Sequence, residues 1–155
     1  MEARASDAPR VRVAALALVD GKVVLVRHRA GAATYHLLPG GGVDYRETLE
    51  SALRREVREE TGLEVSVGRP LFINDTIDPR GSRHVINITF MTTVEGGALT
   101  DAPMDRRVEA VELVDPQRLL SMDIRPPMAE PLVRAIAHPE LHCEYLGSLF
   151  KDARP

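Results

Sequence analysis

The chain has 155 residues, 44% of them hydrophobic and 28% charged, with a formal net charge of −3. That length fits one domain with a real core, and the weakly acidic balance excludes both a disordered polyelectrolyte and a basic protein that binds nucleic-acid polymers. The single cysteine, Cys143, excludes an internal disulfide and fits a reducing compartment.

Residues 1–10, MEARASDAPR, read as a tail without an apolar signal core. No run reaches transmembrane length, so a cytoplasmic protein without a membrane partner is expected. Val11 to Val19 is apolar-rich and reads as a strand, Asp20-Gly21 as a hairpin turn, and Lys22 to Arg27 as the returning strand. His28 to Thr34 reads as a small-residue loop and Tyr35 to Leu38 as a short strand ended by Pro39 and three glycines. A helix follows from about Thr48 to Thr61, with Gly62 as its C-terminal cap. Glu64 to Thr76 is extended, with a break near Gly68-Arg69-Pro70, and Asp78-Pro79-Arg80-Gly81 is a turn. His84 to Val94 alternates, with Ile86, Ile88 and Phe90 on one face and Asn87 and Thr89 on the other. Gly96-Gly97 opens a loop to about Met104, Arg107 to Val114 is a strand, and Gln117 to Leu120 a short helix after Asp115-Pro116. Met128 to Ala137 is a second helix, and residues 138–155 are left as a C-terminal tail. This order places the chain in the α+β or mixed α/β class, with one domain over 11–137.

The first helix carries the chemistry. Leu49, Leu53 and Val57 repeat every four residues as its buried stripe. At about 100° per residue, Glu60 falls roughly 20° and Glu56 roughly 60° from Leu53, so both carboxylates lie on or beside the apolar face. A solvated charged face accounts for Arg54, Arg58 and Glu50, with Glu50 placed to pair with Arg54. It does not account for Glu56 and Glu60, since inward carboxylates are costly unless paired or metal-bound. Glu56, Glu59 and Glu60 at i, i+3 and i+4 repel one another, and a hard divalent cation relieves that repulsion. Oxygen-only ligands favour Mg²⁺ or Mn²⁺.

Gly41, Glu47, Arg55-Glu56-Val57, Glu59-Glu60 and Gly62-Leu63 fill every fixed position of a 23-residue pattern. This stretch resembles a complete Nudix box, the signature of the Nudix hydrolases. The resemblance covers residues 11 to about 137 and implies the Nudix fold, an α/β/α sandwich around a mixed β-sheet. It further implies a metal-dependent pyrophosphohydrolase that directs water onto phosphorus in a nucleoside diphosphate linked to another group. Glu56, Glu59, Glu60 and the Gly40 carbonyl would hold the metal, and Arg55 and Glu47 would orient those carboxylates. An extra acid outside the box would be Glu109, or next Glu112. A homodimer is common among such proteins.

Substrate clues are thinner. ADP-ribose or a nucleotide sugar is slightly favoured, Pro79 resembling the proline of the ADP-ribose pyrophosphatase subgroup, although a turn accounts for it equally well. Arg27, Arg29, Arg80, Arg83 and His84 are candidate phosphate or ribose ligands, and Tyr35 and His36 candidate base contacts. Phe72 and Phe90 read as core. The alternatives are a nucleoside triphosphate pyrophosphatase and, from another class, a non-catalytic nucleotide sensor. His138, His142, Cys143 and Glu144 match no zinc spacing.

Overall fold

A computed structural model describes residues 8–152. Among these residues, two sheets carry nine strands: β1 Arg10–Leu16, β2 Leu18–Val19, β3 Lys22–Ala30, β4 Ala33–Leu37, β5 Gly40–Gly42, β6 Leu63–Ile77, β7 His84–Gly97, β8 Ala110–Val114 and β9 Glu144–Ser148. The helices are α1, Leu49–Thr61, and α2, Ala129–Ala137, with a 3₁₀ turn at Pro116–Ser121. The larger sheet has the order β5-β1-β7-β6-β9 and is mixed, because β1 runs parallel to β7 and β6 parallel to β9. In the smaller sheet β3 pairs antiparallel with β2, β4 and β8.

Strand alternation builds the three layers. On β1 and the residue after it, Val13, Ala15 and Ala17 pack with Ala52, Leu53 and Val57 of α1, while Ala14 and Leu16 pack with Leu119, Leu132 and Ala135 on the other side. A central strand covered on both faces must be apolar throughout, and VAALA is. The expected α/β/α sandwich around a mixed sheet is what forms. Among the described residues no helix is long and apolar enough to cross a membrane.

Several boundaries move. The expected 28–34 loop is a hairpin: His28 pairs with Tyr35, Arg29 with Thr34 and Ala30 with Ala33, and Gly31, with φ 61°, closes it. Leu49 is 37% exposed, and Ala52 takes its place in the buried stripe of α1. Asn87 and Thr89, assigned by alternation to the polar face of β7, are buried, because β7 lies inside the sheet between β1 and β6. The strand expected from Arg107 begins only at Ala110. Arg10, placed in the N-terminal tail, is the first residue of β1. Within the expected C-terminal tail, Glu144–Ser148 forms β9, registered on Phe72, Ile73 and Asp75 of β6.

Candidate active site

The acidic helix is anchored at both ends. Thr48 caps α1 by accepting from the Ser51 amide at 3.1 Å. Gly62 ends it at φ 79°, its amide on the Arg58 carbonyl, where a side chain would strike the Ala98 carbonyl. The inward-pointing residue of the last turn is Glu60, 3% exposed. Its Oε2 accepts from the Gly40 amide at 2.9 Å. Burial pushes its carboxyl up to about 7, against the pull of that amide and of Arg12.

Arg55 ties the helix to β5. Its Nε and Nη2 donate to both oxygens of Glu47 at 2.9 and 2.8 Å, Nη1 to Glu56 at 2.6 Å, and Nη2 to the Gly42 carbonyl at 3.2 Å. The fork holds the Glu47 carboxyl down to about 2, helped by the Asp44 amide. Gly41 lies so close to Glu56 that an added Cβ would overlap the carboxylate. The glycine run therefore lets β5 lie flat against the acidic face of the helix. Glu59 is half-buried and lies 3.9 Å from Arg55.

Among the described residues no three His, Cys, Asp or Glu side chains converge into a ready metal cage. Glu60 is engaged by the Gly40 amide and Glu56 by Arg55. What fits a hard divalent cation is the donor chemistry: three carboxylates on one side of α1, one of them buried, with no sulfur or imidazole among them.

Facing Glu60 is a cleft of about 410 Å³ with a cationic wall of Arg10, Arg12, Arg83 and Arg107. Arg12 rises from β1 and donates from Nη2 to the Leu38 carbonyl at 3.0 Å. Burial lowers its guanidinium from the ordinary value and the nearby Glu60 raises it. Arg107 arrives on the loop after β7, which is pinned to the end of α1 by Thr100 N on Thr61 O at 2.9 Å and Met104 N on Glu59 O at 3.0 Å. The same loop brings Asp105, bonded to Arg107 at 2.7 Å, within electrostatic reach of Glu60. His28 also lines the cleft; burial lowers its pKa and leaves its Nε2 without a hydrogen-bond partner.

The sequence-predicted residues divide accordingly. Gly40, Glu60, Tyr35 and Arg83 line the cleft, and Glu47, Arg55, Glu56 and Glu59 adjoin it. Arg27, Arg29, His36, Glu109 and Glu112 form a separate ion-pair cluster, with Arg29–Glu109 at 2.5 Å, Arg27–Glu112 at 2.7 Å and His36–Glu112 at 3.0 Å. The pleat explains the split. His28 and Tyr35 are cross-strand partners on one face of the β3–β4 hairpin, and Arg27 and His36 on the other. His84 reaches Asp75 at 3.8 Å. Arg80 lies in the cleft wall, but Asp78 and Asp152 hold it. Pro79 sits in the turn closed by Asp78, and Phe72 and Phe90 are core. Sequence reasoning passed over Arg12, His28, Arg107, Asp105 and Arg125. Only Arg12 left a signal, as a charge alternating with valines in RVRVAAL.

The model of the NUDIX domain matches residues 8–135. A curated relative, the ADP-ribose pyrophosphatase of Methanocaldococcus jannaschii, is 36% identical over 108 residues, covering 68% of this chain and 63% of that protein. The match thus spans less than two thirds of the relative's length. Among solved structures, a NUDIX hydrolase from Nitrosomonas europaea superposes with a TM-score of 0.72 at 23% identity, over 85% of this chain and 90% of that one. An ADP-ribose pyrophosphatase from Streptococcus suis does so with a TM-score of 0.67 at 20% identity, over 93% of this chain and all of that one. These two likenesses are of fold.

Proposed function

We propose that this chain, which belongs to the NUDIX family, hydrolyses the pyrophosphate bond of a nucleoside diphosphate carrying a second group, ADP-ribose or a nucleotide sugar before others. The observation that carries this reading is one cleft that joins the buried carboxylate of α1, Glu60, with Arg12, Arg83 and Arg107, while Glu56 and Glu59 adjoin it. A pyrophosphate suits such a cleft. Its oxygens meet guanidinium donors on one side and share a cation with the carboxylates on the other.

Glu56, Glu59, Glu60 and the Gly40 carbonyl would hold Mg²⁺ or Mn²⁺. When bound, such a cation neutralises phosphoryl charge and makes a water more acidic. The protein supplies the rest. Arg55 orients Glu56 and ties Glu47 to the helix, Gly41 leaves room for the Glu56 carboxylate, and Arg12 and Arg107 fix the phosphates for in-line attack. Water adds to phosphorus, the bridging P–O bond breaks, and the departing phosphate keeps the bridging oxygen, so two phosphate monoesters result. Asp105, within electrostatic reach of Glu60, is a better candidate to accept the proton of the water than Glu109, which Arg27 and Arg29 hold. Cytoplasmic location accords with this reading, as does a single domain, which β1 and β9 extend beyond residues 11–137.

The test incubates the purified chain with Mg²⁺ and ADP-ribose, nucleotide sugars, nucleoside triphosphates and dinucleoside polyphosphates, beside Glu60→Gln. Expected is a monophosphate product from one nucleoside diphosphate derivative, with most of the rate lost in the variant. Equal turnover by both proteins, or none by either, overturns the reading.

A further inference from the structure

Arg125 and Glu60 both line the cleft, and His28, whose charged neighbours include Asp105, Arg107 and Arg12, lies between them. Glu60 feels Arg12, Glu56 and Asp105, whereas Arg125 feels Asp123, Tyr35 and Asp152. Around Arg125 the cleft is lined by rings and a paired guanidinium. There the Arg125 guanidinium lies over the Tyr35 ring, 4.3 Å from its centroid. His28 stands against the same ring, centroids 5.6 Å apart, and brings the unpartnered Nε2.

Arg125 is held firmly. Its side chain is 13% exposed, its Nη2 and Nε bond Asp123 at 2.7 and 3.2 Å, and its amide donates to the His36 carbonyl at 2.9 Å. Asp123 also takes the Lys151 ammonium at 2.9 Å. Lys151 belongs to a segment outside the 8–135 family match. β9 places that segment, and the Leu149 amide fixes it on the Asp75 carbonyl at 2.7 Å. From there Leu149, Phe150 and Lys151 line the cleft.

Asp123 takes the edge of the Arg125 guanidinium and the Tyr35 ring takes one of its faces, so the other face is left as a stacking surface. The His28 Nε2 has no partner within the protein, and a turn of its partly exposed ring in the cleft brings that nitrogen to a ligand. Flat surfaces beside one polar atom suit a planar heterocycle. We propose that Tyr35, Arg125 and His28, walled by Leu149 to Lys151, form the seat of the substrate's nucleobase. Lys151 is a positioning residue that acts on Arg125 through Asp123. The proposal rests on the nucleotide reading of the same cleft and names which part of the nucleotide goes where.

Binding without turnover tests it. Calorimetry on the full chain in chelator compares AMP and UMP with ribose 5-phosphate, which lacks only the base. The tighter mononucleotide is expected to bind at least about tenfold better than ribose 5-phosphate, the scale of one base–aromatic stack. Tyr35→Leu and Arg125→Met should erase that advantage and leave ribose 5-phosphate unchanged. Lys151 is half-exposed, so Lys151→Met keeps the fold. It should lose part of the advantage, and Lys151→Arg should restore it. Equal affinity for all three ligands in the wild type overturns the proposal, as does a Lys151→Met protein that weakens all three alike or none. A chain that binds AMP preferentially but hydrolyses nothing would sink the pyrophosphohydrolase reading and leave the seat standing. An active chain blind to the base would do the reverse.

Discussion

Replacing Glu60 by Gln should remove most of the pH dependence of stability near neutrality. The buried carboxyl has its pKa raised from 4.5 to about 7, chiefly by desolvation. A group that binds its proton more tightly when folded stabilises the fold fully below the unfolded pKa, and that contribution fades as pH rises through the folded one. At about 1.4 kcal/mol per unit, the whole effect is on the order of 3 kcal/mol, with roughly 2.5 kcal/mol falling between pH 5 and 8. Glu47 works in the opposite sense: its folded pKa of about 2 lies below its ordinary value, so its contribution is present above pH 4.5 and lost in strong acid, outside this window. Urea unfolding in chelator at pH 5, 6, 7 and 8 measures the effect. The wild type should lose stability across the series, and Glu60→Gln should lose roughly 2 kcal/mol less. Added Mg²⁺ should restore the wild type at pH 8 and leave the variant unmoved. Parallel pH profiles for the two proteins would refute the burial of an uncompensated carboxyl at Glu60.

Four further outcomes rest on the same geometry. Arg55→Lys keeps the charge but loses the two-pronged grip on Glu47 and the bond to Glu56, so Mg²⁺ affinity, read by calorimetry, should fall about 10- to 100-fold. Gly41→Ala places a methyl where the Glu56 carboxylate lies. The fold should persist by circular dichroism while kcat drops at least about tenfold, and a wild-type kcat would mean that Glu56 moves aside without consequence. Glu109→Gln should leave kcat within about threefold, since Arg29 and Arg27 hold Glu109 in its own ion-pair cluster, whereas Arg107→Ala should raise KM for a nucleoside diphosphate about tenfold or more. A Glu109 variant that loses as much as Glu60→Gln would reinstate it as the acting base.

The acidic wall of the cleft could be read from the chain, and the cationic wall could not. Glu56, Glu59 and Glu60 share one helical turn, so their relation is fixed by local geometry, and Gly62 and Thr48 mark where that turn begins and ends. Around Glu60 the cleft gathers Arg12 from β1, His28 and Tyr35 from a hairpin, Arg107 from a loop pinned to α1, and Arg125 from before α2. Nothing in residue spacing relates these positions; sheet order and strand register do. Register also decided the errors. Once Ala30 pairs with Ala33, alternation sends His28 into the cleft and Arg27 away from it, so the more conspicuous arginine was the wrong one. The last strand was hidden for a different reason. EYLGS has no apolar alternation, and it becomes a strand only because the outer edge of β6 accepts it in parallel, some seventy residues away in sequence. A segment that owes its structure to a distant edge is free to differ between relatives that share the acidic helix, which is where a choice among nucleotides is most simply encoded.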